Sequence, residues 1–499
     1  MPGYERKQGG LPGLEAHPLT SGAPNATGAH HVRQRRCRTS SGGPLTHSRE
    51  GPVSIRGGAT IPALLQAITP REPGGESRSD PLPNSTYKPD PNRSGIGLCL
   101  SGGGFRAALF HLGAMRRLNE VGLLRDVRTI SSVSGGSVAS ALLAKKWRAL
   151  SAGAAGSPIP WFGAYEQELR AFCSADLRTG PLLTGRLNPL NWHRLWGRRP
   201  LRDGLLADAY EDRLVGDMTL ADLSAIQKAG RPSFVFGAAN MQTGVDFTFS
   251  GAGVHDWKLG TASTPEVLKT RVADAVAASS AFTIAFPPLV LKFETAAFQQ
   301  ESPPRTGCLI GTPEHRALTR RTVLTDGGVY DNIGTEPVWK DHETVLVSDG
   351  GKPFSLDVDP GEAAISRLSR ANSVIANQAE AVRKRWLISS LQDGVYKGTY
   401  WGIGTEIEGY PQRNLAYPAT HASKLLERLR AVRTDFDTFS TQEQLVLMNH
   451  GWVLADAALR SYLSMGAPAG TPPSQTLLTD HEASAKALEH SGERDLLGR

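Results

Sequence analysis

Five serines lie in the stretch ISSVSGGSVASALLAKKW, Ile130 to Trp147, and their spacing decides which of them could act as a nucleophile. A serine hydroxyl reacts poorly until geometry and a base are arranged for it, and a strand-to-helix turn supplies the geometry. Such a turn needs small residues two positions before and two after the nucleophile, because strand and helix approach closely there. Ser131 is flanked by Thr129 and Val133, Ser132 by Ile130 and Ser134, and Ser137 and Ser140 already belong to the helix. Ser134, between Ser132 and Gly136, fits both spacing and position. A G-x-S-x-G elbow would have glycine at 132, so a purely structural Ser/Gly turn stays open at this point.

Acyl transfer also needs a site for an oxyanion and a base. Gly102, Gly103 and Gly104 form a loop whose adjacent backbone N–H groups can converge on one spot. The loop lacks the G-K-S/T ending of a phosphate-binding P-loop and does not fit G-x-G-x-x-G, which argues against a nucleotide. Arg106, just after it, suits an anionic head group or a carboxylate partner. Asp326 and Asp349 each end an apolar strand and are followed by two glycines, so either could present a carboxylate at the sheet edge. Histidines offer a different base: His111, His255, His315, His342, His421 and His450 are scattered, and a Ser-His-Asp enzyme needs one after its acid.

These residues require elements to hold them. An apolar run over 94–100 enters the glycine loop, after which Phe105, Leu109, Leu112, Leu118 and Val121 recur at helical spacing. A second strand over 127–133 runs through the serine turn into a helix over 137–147. Two consecutive strand-turn-helix units imply a parallel sheet with helices on its faces, an α/β architecture. Further strands are expected at 234–241, 245–250, 322–326, 344–349 and 398–402, and helices at 265–279, 362–391 and 442–463.

The first ninety residues are rich in Gly, Pro, Ser, Arg and His and read as a disordered basic arm, 1–90. Over positions 1–58, eight Lys/Arg face three Glu, most of the chain's net charge of +7. The folded remainder, 91–465, is close to neutral and carries a Trp-rich insertion around 150–206 with no clean period; a polar tail follows over 466–499. The basic cluster of the arm has no interleaved aromatics, so no nucleic-acid partner is expected. The cysteines are scattered with no C-x-x-C pair, and neither a disulfide framework, a metal site nor any cofactor is indicated. Val272–Leu291, the most apolar long window, contains Asp274 and Pro287-Pro288 and is rejected as a membrane span. With no signal-peptide pattern after Met1, the expected location is cytoplasmic or peripheral to a membrane.

LSGGGFRAALFHLG, SVSGGS, AASSAFTIAFPP and TDGGVYDN, in that order over about 94–350, resemble the patatin-like phospholipases, with a further family-like helix in NHGWVLADAAL. The resemblance implies a three-layer α/β/α sandwich with a mainly parallel central sheet. It implies a Ser134–Asp326 dyad without histidine, an oxyanion hole at Gly102–Gly104, a lipid substrate and peripheral membrane contact. GVYDN after Asp326 favours that aspartate over Asp349. Ser101 stands where patatins carry Asp, which is closer to the related cytosolic phospholipase A catalytic domain. The alternatives are an inactive lipid-binding or scaffold protein of the same fold, and a serine esterase with a triad.

Overall fold

The computed structural model describes residues 89–149, 156–177, 204–282, 286–300, 306–412, 423–463 and 469–493. All but the last two residues of the arm expected over 1–90 and the larger part of the 150–206 insertion lie outside them, as does His421.

The chain enters the sheet with β1 (Ile96–Leu100), followed by α1 (Gly104–Glu120), β2 (Val127–Val133) and α2 (Gly135–Ala149). β3 (Ser233–Asn240) comes next, and later β10 (Thr344–Asp349) and β11 (Lys397–Gly402). These strands stand in the order β11-β10-β1-β2-β3, every neighbouring pair parallel. Their apolar content follows from that position, since a parallel strand is covered on both faces. Side chains alternate between the two faces. Leu98, Leu100 and Leu346 join the larger apolar cluster with α1 and α2. Cys99, Val345 and Val347 point into a second cluster with Ile333, Val338 and Leu387. The sheet is therefore the middle of three layers, as expected.

Beyond β3 the sheet turns antiparallel through β4 (Asp246–Ser250), β5 (Gly253–Asp256), β6 (Gly260–Ala262) and β8 (Phe298–Gln299). The connections from β3 through β6 are only a few residues long, too short for a parallel crossover, so hairpins result; β8 returns later to pair antiparallel with β6. The sequence reading anticipated β4 but not the shorter strands. The helical stretch expected over 265–279 is two helices, Pro265–Leu268 and α3 (Val272–Ser280). β7 (Leu289–Leu291) pairs antiparallel with β9 (Thr322–Asp326).

α4 (Ala364–Gln392) buries Leu387 but leaves Leu368 and Ile375 69% and 66% exposed. α5 (Thr441–Tyr462) lies on α1 through two glycines: a Cβ on Gly113 would stand 1.9 Å from Met448 O, and one on Gly451 2.0 Å from Phe110 O. The same interface buries an Arg117–Asp456 ion pair at 2.7 Å.

Two segments carry more order than their composition suggested. In the insertion, Phe162, Tyr165, Leu169 and Phe172 recur at helical spacing on the helix Phe162–Cys173 and are buried in the main core. The segment read as a polar tail contains helices Gln475–Thr479 and His481–Ala487, and Leu478 and Leu488 enter that core. The apolar residues there are too sparse to give a period, yet sufficient to dock a short segment. No helix among the described residues is long and apolar enough to cross a membrane.

Candidate active site

Ser134 sits at the junction of β2 and α2 with φ 52°, the one positive-φ residue other than glycine among those described. A side chain in that region carries strain of about 1–3 kcal/mol and persists only where its surroundings impose it. Here they do. Ser134 N–H donates to Ser279 Oγ at 3.0 Å. A Cβ on Gly135 would fall 2.0 Å from Gly104 O and one on Gly136 2.4 Å from Leu100 O, so the turn is pressed against the glycine loop.

The unexpected Ser132 is part of this packing. Its Oγ donates to Val235 O at 3.2 Å and accepts from Ser137 Oγ at 3.3 Å. Ser137 Oγ also meets Ser279 Oγ at 2.8 Å, and Ser279 Oγ donates to Gly237 O at 2.6 Å. A buried hydroxyl is costly only when unpaired, and this one is paired.

Strand pairing brings Asp326 to the turn. β2 runs parallel beside the first part of β3, ending with Val133 opposite Gly237. β9 runs antiparallel beside the last part of β3, ending with Asp326 opposite Ala238. Because β4 occupies the other edge of the same residues, β2 and β9 share one edge and meet end to end. This brings Ser134, just past the end of β2, beside Asp326, the last residue of β9, near enough for its hydroxyl to favour the charged carboxyl. Both are nearly enclosed, 5% and 6% exposed. Burial pushes the Asp326 carboxyl up to about 6, against the Gly328 N–H and the Ser134 hydroxyl, which favour its charged form. Gly328 N–H reaches Asp326 Oδ1 at 2.7 Å.

Asp349 is placed differently. Lys384 Nζ lies 2.6 Å and Tyr400 Oη 2.7 Å from its Oδ2, and Gly351 N–H donates to Oδ1 at 2.8 Å. Burial alone would raise this carboxyl, but Lys384 and the hydrogen bonds hold it at about 2. The histidines are engaged elsewhere. His111 Nε2–H donates to Ser101 O at 2.9 Å, so its Nδ1 accepts from Ser348 Oγ at 2.8 Å, and burial keeps the ring neutral with a pKa of about 4. His255 meets Thr261 Oγ1, His315 Leu259 O, His342 Thr129 Oγ1 and His450 Ile403 O.

The glycine loop lies beside the nucleophile: a Cβ on Gly102 would be 3.2 Å from Ser134 Cβ. Its three amides are not equivalent. Gly102 N–H donates to Asn332 O at 2.9 Å, while those of Gly103 and Gly104 have no partner among the described residues. Ser101 Oγ accepts Gly350 N–H at 2.8 Å and so ties the loop to the Asp349 turn. Arg106, expected at a substrate head group, is instead fully buried. Its Nε donates to Gly350 O at 3.0 Å and its Nη1 to Val432 O at 2.8 Å. Its position inside the first turn of α1 directs the side chain between two loops rather than into solvent.

Sequence reading missed Ser279. Its hydroxyl holds the Ser134 amide, and its carbonyl accepts Gly327 N–H at 3.2 Å, so one residue joins the turns of Ser134 and Asp326. The available signal was the small-residue run AASSA, quoted only for its resemblance. No group of three or more His, Cys, Asp or Glu able to hold a metal occurs among the described residues.

Residues 98–339 match the family model described as patatin-like phospholipase. No curated protein matches the chain. Among solved structures, human GIVD cytosolic phospholipase A2 is similar at 14% identity and TM-score 0.37 over 80% of this chain. The match spans only 63% of that human chain. VipD from Legionella pneumophila is similar at 14% identity and TM-score 0.29, over 75% of this chain and 68% of its own. ExoU from Pseudomonas aeruginosa, solved with SpcU, is similar at 15% identity and TM-score 0.21, over 80% of this chain and 77% of that one. The family match, on the residues that hold the serine turn, the glycine loop and the Asp326 turn, identifies 98–339 as a patatin-like phospholipase domain, of a family of lipid ester hydrolases.

Proposed function

We propose that the protein hydrolyses carboxylic esters of lipids through a Ser134–Asp326 dyad and an acyl-enzyme. The observation that carries this reading is the strand register that sets Ser134, on its strained turn, beside a buried Asp326 whose carboxyl burial pushes up to about 6. A carboxylate so placed is ionised at neutral pH yet basic enough to take a proton, the balance a general base requires.

Ser134 Oγ attacks the ester carbonyl carbon while its proton passes to Asp326. The carbonyl oxygen, now negative, is held by the Gly103 and Gly104 N–H groups; Gly102 shapes the loop through Asn332 instead. Collapse of the tetrahedral intermediate breaks the bond to the alcohol oxygen, which receives the proton from Asp326. Water then gives a proton to Asp326 and attacks the acyl-enzyme, and the fatty acid leaves as Ser134 recovers its hydrogen. The family match supports a lipid substrate, and in this reading the enzyme meets it by peripheral contact with a membrane.

A fluorophosphonate probe and a panel of phospholipid, lysophospholipid and glyceride esters test this. Wild type labels and hydrolyses at least one lipid class, and Ser134→Ala does neither. Equal turnover by Ser134→Ala would remove the proposal.

A further inference from the structure

A run of three glycines has little conformational preference of its own. Gly103 and Gly104 sit at φ 139° and 61°, so the direction of their amides is imposed by what the loop rests on. One support is Asn332 O. The other is the irregular segment 432–436, between the helix Ser423–Ala431 and α5. There Asp435 O accepts Phe105 N–H at 2.9 Å and lies 2.5 Å from where a Cβ on Gly104 would be. Val432 O accepts Arg106 Nη1 at 2.8 Å, and the Phe105 and Phe436 rings pack edge to face at 5.2 Å.

This segment contains no helix or strand and needs its own restraint, which Arg433 supplies. Its Nε donates to Asp437 at 2.7 Å, Nη1 to Glu443 at 2.7 Å and Nη2 to Thr438 O at 2.7 Å. Ser491, from the C-terminal segment, completes the arrangement. Ser491 O accepts the Arg433 backbone N–H at 2.8 Å. Ser491 Oγ accepts from Arg433 Nη1 at 3.0 Å and donates to Glu443 at 2.6 Å. Glu443 is also the N3 residue of the capping box that starts α5. One buried guanidinium thus fastens together the bed of the glycine loop, the start of α5 and the end of the described chain. A planar five-donor fork is what this geometry uses; an ammonium cannot reproduce it.

We infer that Arg433 and Ser491 are positioning residues, through which docking of the C-terminal segment sets the alignment of the Gly103 and Gly104 amides; the catalytic half of this statement rests on the proposed hydrolase reading. Neither residue meets substrate. Both act through Asp435 and Val432.

The test uses the full chain with Ser491→Ala, Ser491→Thr and Arg433→Lys. Amide hydrogen exchange is followed in the peptide spanning Gly103–Ala107, and kcat and KM are measured on a soluble p-nitrophenyl ester. Ser491→Ala speeds exchange of the loop peptide about tenfold and lowers kcat about tenfold with KM within about twofold, as expected when alignment rather than binding is lost. Arg433→Lys does more, and Ser491→Thr restores both readouts. Loop exchange at the wild-type rate in Ser491→Ala and Arg433→Lys overturns the inference whatever the activity. If exchange responds but wild type and Ser134→Ala turn over ester equally, the hydrolase reading fails and the structural clasp stands.

Discussion

Asp326 and Asp349 close β9 and β10 in nearly the same words, TVLTDGG and TVLVSDGG, and end in opposite electrostatic states. Both are buried, and burial pushes both carboxyls up. The difference is the company each keeps. Asp326 faces a hydroxyl and a single backbone N–H, neither charged, so burial wins and the pKa rises to about 6. Asp349 faces Lys384, and the ammonium with Tyr400 holds it at about 2. Its turn carries load for the neighbouring loop, through Gly350 N–H to Ser101 Oγ and Arg106 Nε to Gly350 O. In the proposed mechanism one D-G-G turn supplies the base for Ser134, while the other is a strut under the glycine loop. A two-glycine turn delivers a carboxylate to the sheet edge, and the helix packed beyond that edge decides its use.

The sharpest way to break the comparison is to neutralise each aspartate in turn. Asp326→Asn lowers kcat by about 10³-fold or more, as removal of a base acting with its nucleophile does, while Asp349→Asn leaves kcat within about tenfold. Stability should respond with the opposite sign. The folded pKa of Asp326 lies above its unfolded value, so its contribution to stability falls as pH rises from about 4 through 6. At pH 8 Asp326→Asn therefore gains about 1–3 kcal/mol in denaturant unfolding. Asp349 is the reverse case: its ionised form stabilises above about pH 4, and that is lost as pH falls towards 2. Asp349→Asn removes one of the two carboxylates that pair with Lys384, Glu380 being the other, and lowers stability at neutral pH. The smallest effect is expected at Ser132. Ser132→Gly loses one paired hydroxyl, about 1 kcal/mol, and changes kcat by no more than a few-fold; a rise of a hundredfold would show the elbow serine to be a defect.

The sequence made the central sheet and the strand-to-helix turn at Ser134 legible because both rest on local pattern. Strand 127–133 and the helices flanking it are fixed by apolar spacing and by glycines whose Cβ positions are already occupied. What pattern could not separate were Asp326 and Asp349, because the residues that distinguish them are distant in sequence. Lys384 lies on α4, and nothing in its spacing says that it reaches the second turn. Arg106 is a similar case: a basic residue after a glycine loop suggests an anion, and only the fold shows that its Nε and Nη1 reach the carbonyls of Gly350 and Val432. Ser132 looked like a flaw because its partners, Val235, Ser137 and through it Ser279, come from three elements. The short antiparallel strands and the docked C-terminal helices carry too few apolar residues to register as periods.

The central claim, that Asp326 rather than Asp349 is the base for Ser134, is tested most directly by the pH dependence of kcat/KM on a soluble ester in wild type and Asp349→Asn. The predicted profile rises with pH through an acid limb near 6, set by ionisation of Asp326, and keeps that limb in Asp349→Asn while Asp326→Asn is inactive at every pH. A limb that Asp349→Asn abolishes and Asp326→Asn leaves in place would contradict the assignment.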